Sequence, residues 1–243
     1  VTNTSYMFYG CSWLASVNGM ADWDMSNVTN ASYMFNGTHI TDFKDIVNWN
    51  TNKMQNIRDM FYNSGYLESI DLRGFNTNNI TNMFCLFQNS YKLKSANLDD
   101  FVTSNTTNIG SMFYYCKRLE TLSLNNWDLN GVTTISNFLY FTEMLTNISM
   151  KNSDYNSVNK VITQLPTRTA DSMGTLNVAG VDDISQVDIT TAESKFWNVE
   201  NRIKVVEYKF NMAIVWGNTK DLIYIFGFII TKKYISSPFC IIY

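Results

Sequence analysis

"SMFYYCKRLETLSLNNWD", Ser111–Asp128, is the stretch whose reading decides the fold. It holds a Met112-Phe113 pair, leucines at 119, 122 and 124, and Trp127. Neither the 3.6-residue period of a helix nor the two-residue period of a strand accounts for all of it. The order makes sense only when the stretch is compared with the rest of the chain. Trp23, Trp49, Phe75, Phe101 and Trp127 recur every 26 residues. Met34, Met60, Leu86, Met112 and Phe138 keep the same spacing, as do Leu67, Leu93, Leu119 and Leu145. So do Ile70, Ala96, Leu122 and Ile148, and Leu72, Leu98, Leu124 and Met150. Two more columns run through Val28, Met54, Ile80, Thr106, Val132 and Val158 and through Ile57, Met83, Ile109, Ile135 and Val161. Met7-Phe8 opens an earlier copy, one residue out of step. A fixed period sustained in this way is the signature of a repeat architecture.

Each copy divides into two parts. Val132, Ile135 and Phe138 step by three, which predicts a short helix or 3₁₀ segment with one buried face. Polar pairs such as Ser26-Asn27 and Asn78-Asn79 precede that segment, where they can cap free amides. The Leu-x-x-Leu-x-Leu run predicts a short half-buried strand. Strands are expected over Ser69–Arg73, Ser95–Asp99, Thr121–Asn125 and Asn147–Lys151. One such unit cannot bury its apolar face alone. Stacked units do so against their neighbours, and their strands join into one parallel sheet.

The pattern Met-Phe-x-x-Cys-x-x-Leu-x-x-Leu-x-Leu-x-x-Trp-Asp, followed by Asn-Val-Thr-Asn, resembles the BspA-like leucine-rich repeat family of bacterial surface proteins. That family occurs in mycoplasmas and lactobacilli and is also phage-encoded. The resemblance is carried by "MFYGCSWL" (Met7–Leu14), "WDMSNVTN" (Trp23–Asn30), "MFYYCKRL" (Met112–Leu119) and "NWDLNGVTTI" (Asn126–Ile135). It covers Val1 to about Val161, with a degenerate last turn to about Val178. Copy two departs from the pattern with "ITDFKDIV", which makes its strand irregular. The expected fold is therefore α/β: a right-handed leucine-rich-repeat-like solenoid of 26-residue repeats, with one parallel sheet and short helices opposite. The resemblance implies adhesion or recognition at a cell surface or by a secreted protein, with a phage virion as the alternative setting.

The expected organisation is a solenoid over residues 1–180, a capping helix and strand over 181–210, and a tail over 211–243 with no assignment. Asp188 is placed to cap a helix from Ile189 to Trp197, with Trp197 closing the end of the core, and "RIKVVEYKF" (Arg202–Phe210) reads as strand. The chain opens at Val1 inside a motif, as a piece of a longer protein would. In the tail, Leu222–Ile230 gives nine apolar residues before Thr231-Lys232-Lys233, short of the about 20 that a membrane helix needs.

Composition narrows the chemistry. Of 243 residues 45% are apolar and 16% charged, with a net charge of −3, and no basic stripe suits nucleic acid. Cys11, Cys85, Cys116 and Cys240 form no C-x-x-C pair and His39 is the sole histidine, so neither a zinc site nor any other cofactor is expected. Cys11 and Cys116 occupy the same repeat position four coils apart, on the order of 19 Å at about 4.8 Å per coil, too far for a disulfide. The carboxylates at Asp22, Asp24, Asp99, Asp100, Asp128, Asp182 and Asp183 fall in turns, and no P-loop, G-x-S-x-G or H-E-x-x-H occurs, so no enzyme is expected.

The outward strand positions instead place Asp71, Arg73, Asn97, Asp99, Ser123, Asn125, Ser149 and Lys151 side by side on one sheet face. Small polar side chains on a rigid sheet suit recognition of a protein or glycan partner. The alternative is a structural spacer arm, or a tail or virion-associated host-recognition protein of a phage. The Trp/Phe column is read as core; sugar stacking would require it to be exposed.

Overall fold

Most of the apolar columns of the sequence become ladders of buried side chains in the computed structural model, which describes residues 1–99 and 101–201 and the strands Glu207–Tyr208 and Lys232–Lys233. Trp49, Phe75, Phe101 and Trp127 are buried, with the Phe101 and Trp127 rings stacked at 6.2 Å and 5°. Met60, Leu86, Met112 and Phe138 are fully buried beside them. A third ladder, Phe35, Phe61, Phe87 and Phe113, stacks its rings at 6.0, 5.5 and 5.4 Å. Each buried indole finds an acceptor one coil back: Trp49 Nε1 donates to the Met20 carbonyl at 2.6 Å and Trp127 Nε1 to the Leu98 carbonyl at 2.9 Å. At Trp49 and Trp127 the column thus buries large apolar area while pairing the indole N–H.

Six strands form one parallel sheet in chain order: β1 Ser69–Asp71, β2 Ser95–Asn97, β3 Thr121–Ser123, β4 Asn147–Ser149, β5 Gly174–Asn177 and β6 Trp197–Glu200. The 26-residue period sets the register from β1 to β4, where Ser69, Ser95, Thr121 and Asn147 pair in succession. The central residue of each, Ile70, Ala96, Leu122 and Ile148, points into the core. The expected strands are present but three residues long. In the first two coils the strand gives way to 3₁₀ turns, Met20–Asp22 and Lys44–Asn48; the Asp42 carboxylate accepts the Lys44 N–H at 2.7 Å, and Phe43 and Ile46 fill the core there.

The Met-Phe segments opposite the sheet are chains of β-turns, where a short helix or 3₁₀ segment was expected in each coil. In one coil Met60 N–H donates to Ile57 O, Tyr62 N–H to Asp59 O and Ser64 N–H to Phe61 O, at 3.2, 3.1 and 3.3 Å. The alternate amides of Ile57, Asp59, Phe61 and Asn63 donate instead to the carbonyls of Asn82, Phe84, Leu86 and Gln88 in the next coil, at 3.2, 2.9, 3.0 and 2.8 Å. A helix would spend every amide within its own coil and leave the coils joined on that side by side chains alone. The turns satisfy the backbone along the solenoid axis as well.

Alternation of this kind needs positive φ at the third position of alternate turns, as type II turns do. One column of such residues runs through Tyr6, Tyr33, Asp59, Cys85, Ser111 and Asn137; another runs through Gly10, Gly37, Asn63, Asn89, Tyr115 and Phe141. Asparagine starts each segment but the last, where Thr134 stands in its place. Asn30, Asn56, Asn82 and Asn108 bridge in parallel from coil to coil, and the Oδ1 of each accepts the N–H two residues on, at 3.0–3.1 Å.

Beyond β4 the repeat changes material. Helix α1, Tyr155–Gln164, takes the place of the turn segment; the Asp154 carboxylate caps it through the Ser157 N–H at 3.0 Å, and Val158, Val161 and Ile162 face the core. Helix α2, Ile189–Ser194, is capped by Asp188 through the Thr191 N–H at 3.0 Å. It does not run to Trp197 as expected. Phe196 at φ 61° turns the chain, and Trp197 opens β6, fully buried, with Nε1 on the Pro166 carbonyl at 2.7 Å. Trp197 therefore covers core from a strand. Its ring lies so close to Gly174 that a Cβ there would come within 2.5 Å of it, which accounts for glycine at the head of β5.

The chain divides into two units, Val1–Asn201 and Arg202–Tyr243. In the second, Glu207–Tyr208 pairs antiparallel with Lys232–Lys233. The rest of the expected 202–210 strand and of the 211–243 tail lies outside the described residues, as does Asp100. Among the described residues no helix is long and apolar enough to cross a membrane.

Candidate functional site

The outward residues of β1 to β4, with Lys151 and with Thr175, Asn177 and Glu200 of β5 and β6, line a shallow open groove of about 630 Å³ along the sheet face; Arg73, Asp99 and Asn125 are not in its lining. All eight residues expected there lie along β1–β4 or just beyond. Alternation in a three-residue strand buries the middle side chain and turns its two neighbours out. Coil-to-coil register then places outward residues of equal position beside one another.

Six of the eight interlock. The Asp99 carboxylate accepts the Ser123 hydroxyl at 2.6 Å, and the backbone N–H and side-chain amide of Asn125 at 3.0 Å each. Asn125 Oδ1 in turn accepts the Ser149 hydroxyl at 2.7 Å and the Lys151 N–H at 2.8 Å. Asn97 Oδ1 accepts the Asp99 N–H at 3.2 Å, fixing the start of the chain. Asp71 and Arg73 form a local pair, with Nη2 to Oδ2 at 2.6 Å, and that hydrogen bond holds the Asp71 carboxyl below its ordinary pKa. On the adjoining column Lys94 bonds Glu68 at 2.8 Å and lowers its pKa in the same way. The face therefore carries a charged pair at one end, a neutral Ser/Asn lattice around Asp99 in the middle, and Lys151 and Glu200 toward the other.

The Trp/Phe column, the sequence's candidate for sugar stacking if exposed, lies in the core from Trp49 to Trp127. Exposed aromatics stand elsewhere, at Trp13, Tyr66, Tyr91 and Phe196 and on the turn segments, and those of the turn segments are ones that sequence reasoning did not single out. Tyr114, Tyr115, Tyr140 and Phe141 make one ring cluster, with Tyr114 stacked on Tyr140 at 5.7 Å and Tyr115 against Phe141 at 4.4 Å. Tyr62, Tyr114 and Tyr140 share one repeat position, but Gln88 interrupts them, so the column gives only a broken signal for this face.

The cysteines follow their columns. Cys116 shares a position with Ser64 and Ser90, and its thiol donates to the Phe87 carbonyl at 3.1 Å as the Ser90 hydroxyl does to Phe61 at 3.1 Å. Burial pushes the Cys116 thiol pKa up, and that of Cys85 up to about 12. Cys11, in the first coil, is exposed. Among the described residues the three cysteines are free, and no cluster of metal-ligating side chains is present.

Stacked 26-residue coils, a parallel sheet built one strand per coil and ladders of identical position define a repeat protein of solenoid type. The chain belongs to the family described as "Mycoplasma protein of unknown function, DUF285", whose model matches residues 1–71 and 63–171. No curated protein and no solved structure matches it.

Proposed function

We propose that the chain is a non-enzymatic recognition module of the BspA-like leucine-rich-repeat kind, which holds a protein or glycan partner at the cell surface through its sheet face. The observation that carries this reading is the interlocked lattice from Asp99 through Asn125 to Ser149 and Lys151. It fixes several polar groups on a rigid support, so little side-chain freedom is lost when a partner binds. The carboxylates of the face are engaged with their own neighbours, Asp71 with Arg73 and Asp99 with Ser123 and Asn125, an arrangement suited to presenting a surface rather than to moving protons. The face is also chemically varied from end to end, which a spacer arm does not require.

The test replaces Thr121 and Asn147, exposed groove residues outside the lattice, by Lys. Fluorescently labelled wild-type chain should bind cultured host cells saturably, and T121K/N147K should lose that binding at an unchanged melting temperature. Equal binding by the two would remove the sheet face from consideration.

A further inference from the structure

We propose a second binding site, independent of the sheet face: the aromatic ledge formed by Tyr114, Tyr115, Tyr140 and Phe141 takes a carbohydrate, stacked on its rings along the solenoid axis. Three observations lead to it. First, the ledge is continuous over two coils, half-buried at Tyr114 and Tyr115 and exposed beyond them: Tyr140 is 53% and Phe141 37% exposed, Met144 is 48% exposed, and ring centroids across the cluster lie 4.3–6.1 Å apart. Solvent contact on this scale by clustered large rings is not needed to fold the coil, whose core is closed by Phe113 and Phe138 beneath.

Second, two of the rings sit where the backbone disfavours them. Tyr115 and Phe141 have φ of 61° and 60°. The same column holds Gly10, Gly37, Asn63 and Asn89 in the earlier coils, residues that accept positive φ at small cost. An aromatic side chain there stores strain, and stored strain gathers at sites with a task.

Third, the polarity of the ledge matches a sugar better than an apolar partner. Three of the four rings are tyrosines. Lys117 lies over the Tyr115 ring at 5.2 Å and pairs with Glu143 at 3.7 Å, leaving an exposed donor and an exposed acceptor beside the ring faces. A pyranose has an apolar C–H face for the rings and hydroxyls for both charges. An apolar helix or an acyl chain would desolvate the Lys117–Glu143 pair with nothing in return.

The test is native gel electrophoresis of the whole chain through gels cast with dextran, glycogen, xylan or hyaluronate. The first three are neutral polymers and the last is the anionic arm. The key variant is Y115N/F141N, which writes into the last coils the residue that Asn63 and Asn89 already supply. The wild type should be retarded by at least one polymer. Y115N/F141N should bind about tenfold more weakly, the loss expected for the stacking of one or two rings, with an unchanged or higher melting temperature. T121K/N147K should be retarded like the wild type, which separates this site from the sheet face. No retardation in any gel overturns the proposal, and so does wild-type binding confined to lipid vesicles or to a protein. A variant that melts several degrees early would show the rings to be packing and also overturns it. Tyr140→Ser, at an ordinary φ, is the second arm; unchanged retardation there overturns it as well.

Discussion

Asn125 lies one coil beyond Asp99 and is bound to it twice, backbone N–H to Oδ1 and amide Nδ2 to Oδ2, both at 3.0 Å. Removing the carboxylate leaves these donors and the Ser123 hydroxyl without their acceptor. Asp99→Ala should therefore cost about 1–3 kcal/mol in urea unfolding. Asp99→Asn keeps Oδ1 for the Ser123 hydroxyl and the Asn125 N–H and loses only the Oδ2 bond, where its amide would meet that of Asn125, so it should rescue only part of the loss. A neutral Asp99→Asn would show that the lattice does not order the face.

Trp127 tests the core. Its ring is buried against Phe101 and its Nε1 bonds Leu98. Trp127→Ala should destabilise by about 3–5 kcal/mol. Trp127→Phe copies Phe75 and Phe101 and keeps the stack, so it should cost only about 1–2 kcal/mol for the orphaned carbonyl and lost volume. Equilibrium denaturation of the pair distinguishes packing from hydrogen bonding. A cost below about 1 kcal/mol for the alanine variant would contradict a buried ladder.

The asparagine column tests the turns. Asn82→Ala frees the Phe84 N–H from its 3.0 Å bond and should cost about 1 kcal/mol. Asn82→Asp keeps the acceptor and should be close to neutral. Equal losses in thermal melts of the two would show that the side-chain oxygen does not matter at this position.

The thiols give a pH prediction. Native-state alkylation followed by peptide mapping should label Cys11 long before Cys85 or Cys116. The Cys85 pKa is raised to about 12 by burial first and by the nearby Asp59 charge second. The folded state thus favours the neutral thiol, while the unfolded chain ionises near the ordinary value of about 8.5. Below that pH both states are protonated and the full stability is present. As pH rises from there toward 12 only the unfolded state loses its proton, so stability falls. Cys85→Asn, which tolerates φ 56°, should reduce the slope between pH 9 and 11 and leave the part that buried Cys116 contributes. An unchanged slope would place its origin in other groups.

Much of this fold was legible in the sequence because buried ladders impose one residue class at one spacing. Trp49 to Trp127, Met60 to Phe138 and Ile70 to Ile148 could be read from spacing alone. The Met-Phe segments were misread as helical because Val132, Ile135 and Phe138 step by three. A row of turns gives the same step, and what sets it apart is the destination of alternate amides in the next coil, a partner that local periodicity does not contain. Trp197 was misplaced for a similar reason: Phe196 at positive φ carries no sequence signal, and it ends the helix three residues early. The outward face was legible as a row of residues, since strand alternation fixes which side chains turn out. Its wiring was not: whether Asp99 meets Ser123 and Asn125 depends on ångström register between coils. The tyrosine ledge escaped notice because its members vary from coil to coil, and only a column that repeats announces itself.

Everything proposed for the face depends on the register of the coils, and disulfide trapping tests it most directly. In a chain carrying Cys11→Ser and Cys240→Ser, with buried Cys85 and Cys116 left in place, Thr121→Cys is combined with Asn147→Cys or with Thr175→Cys. Thr121 and Asn147 are register partners on adjacent strands, and Thr175 lies one strand further on, about 10 Å from Thr121. Mild oxidation should close the 121–147 bridge rapidly, and leave 121–175 open because a disulfide needs Cα atoms within about 7 Å. A 121–175 bridge that forms as fast as 121–147, or no 121–147 bridge at all, would contradict the stacked parallel register and the recognition face built on it.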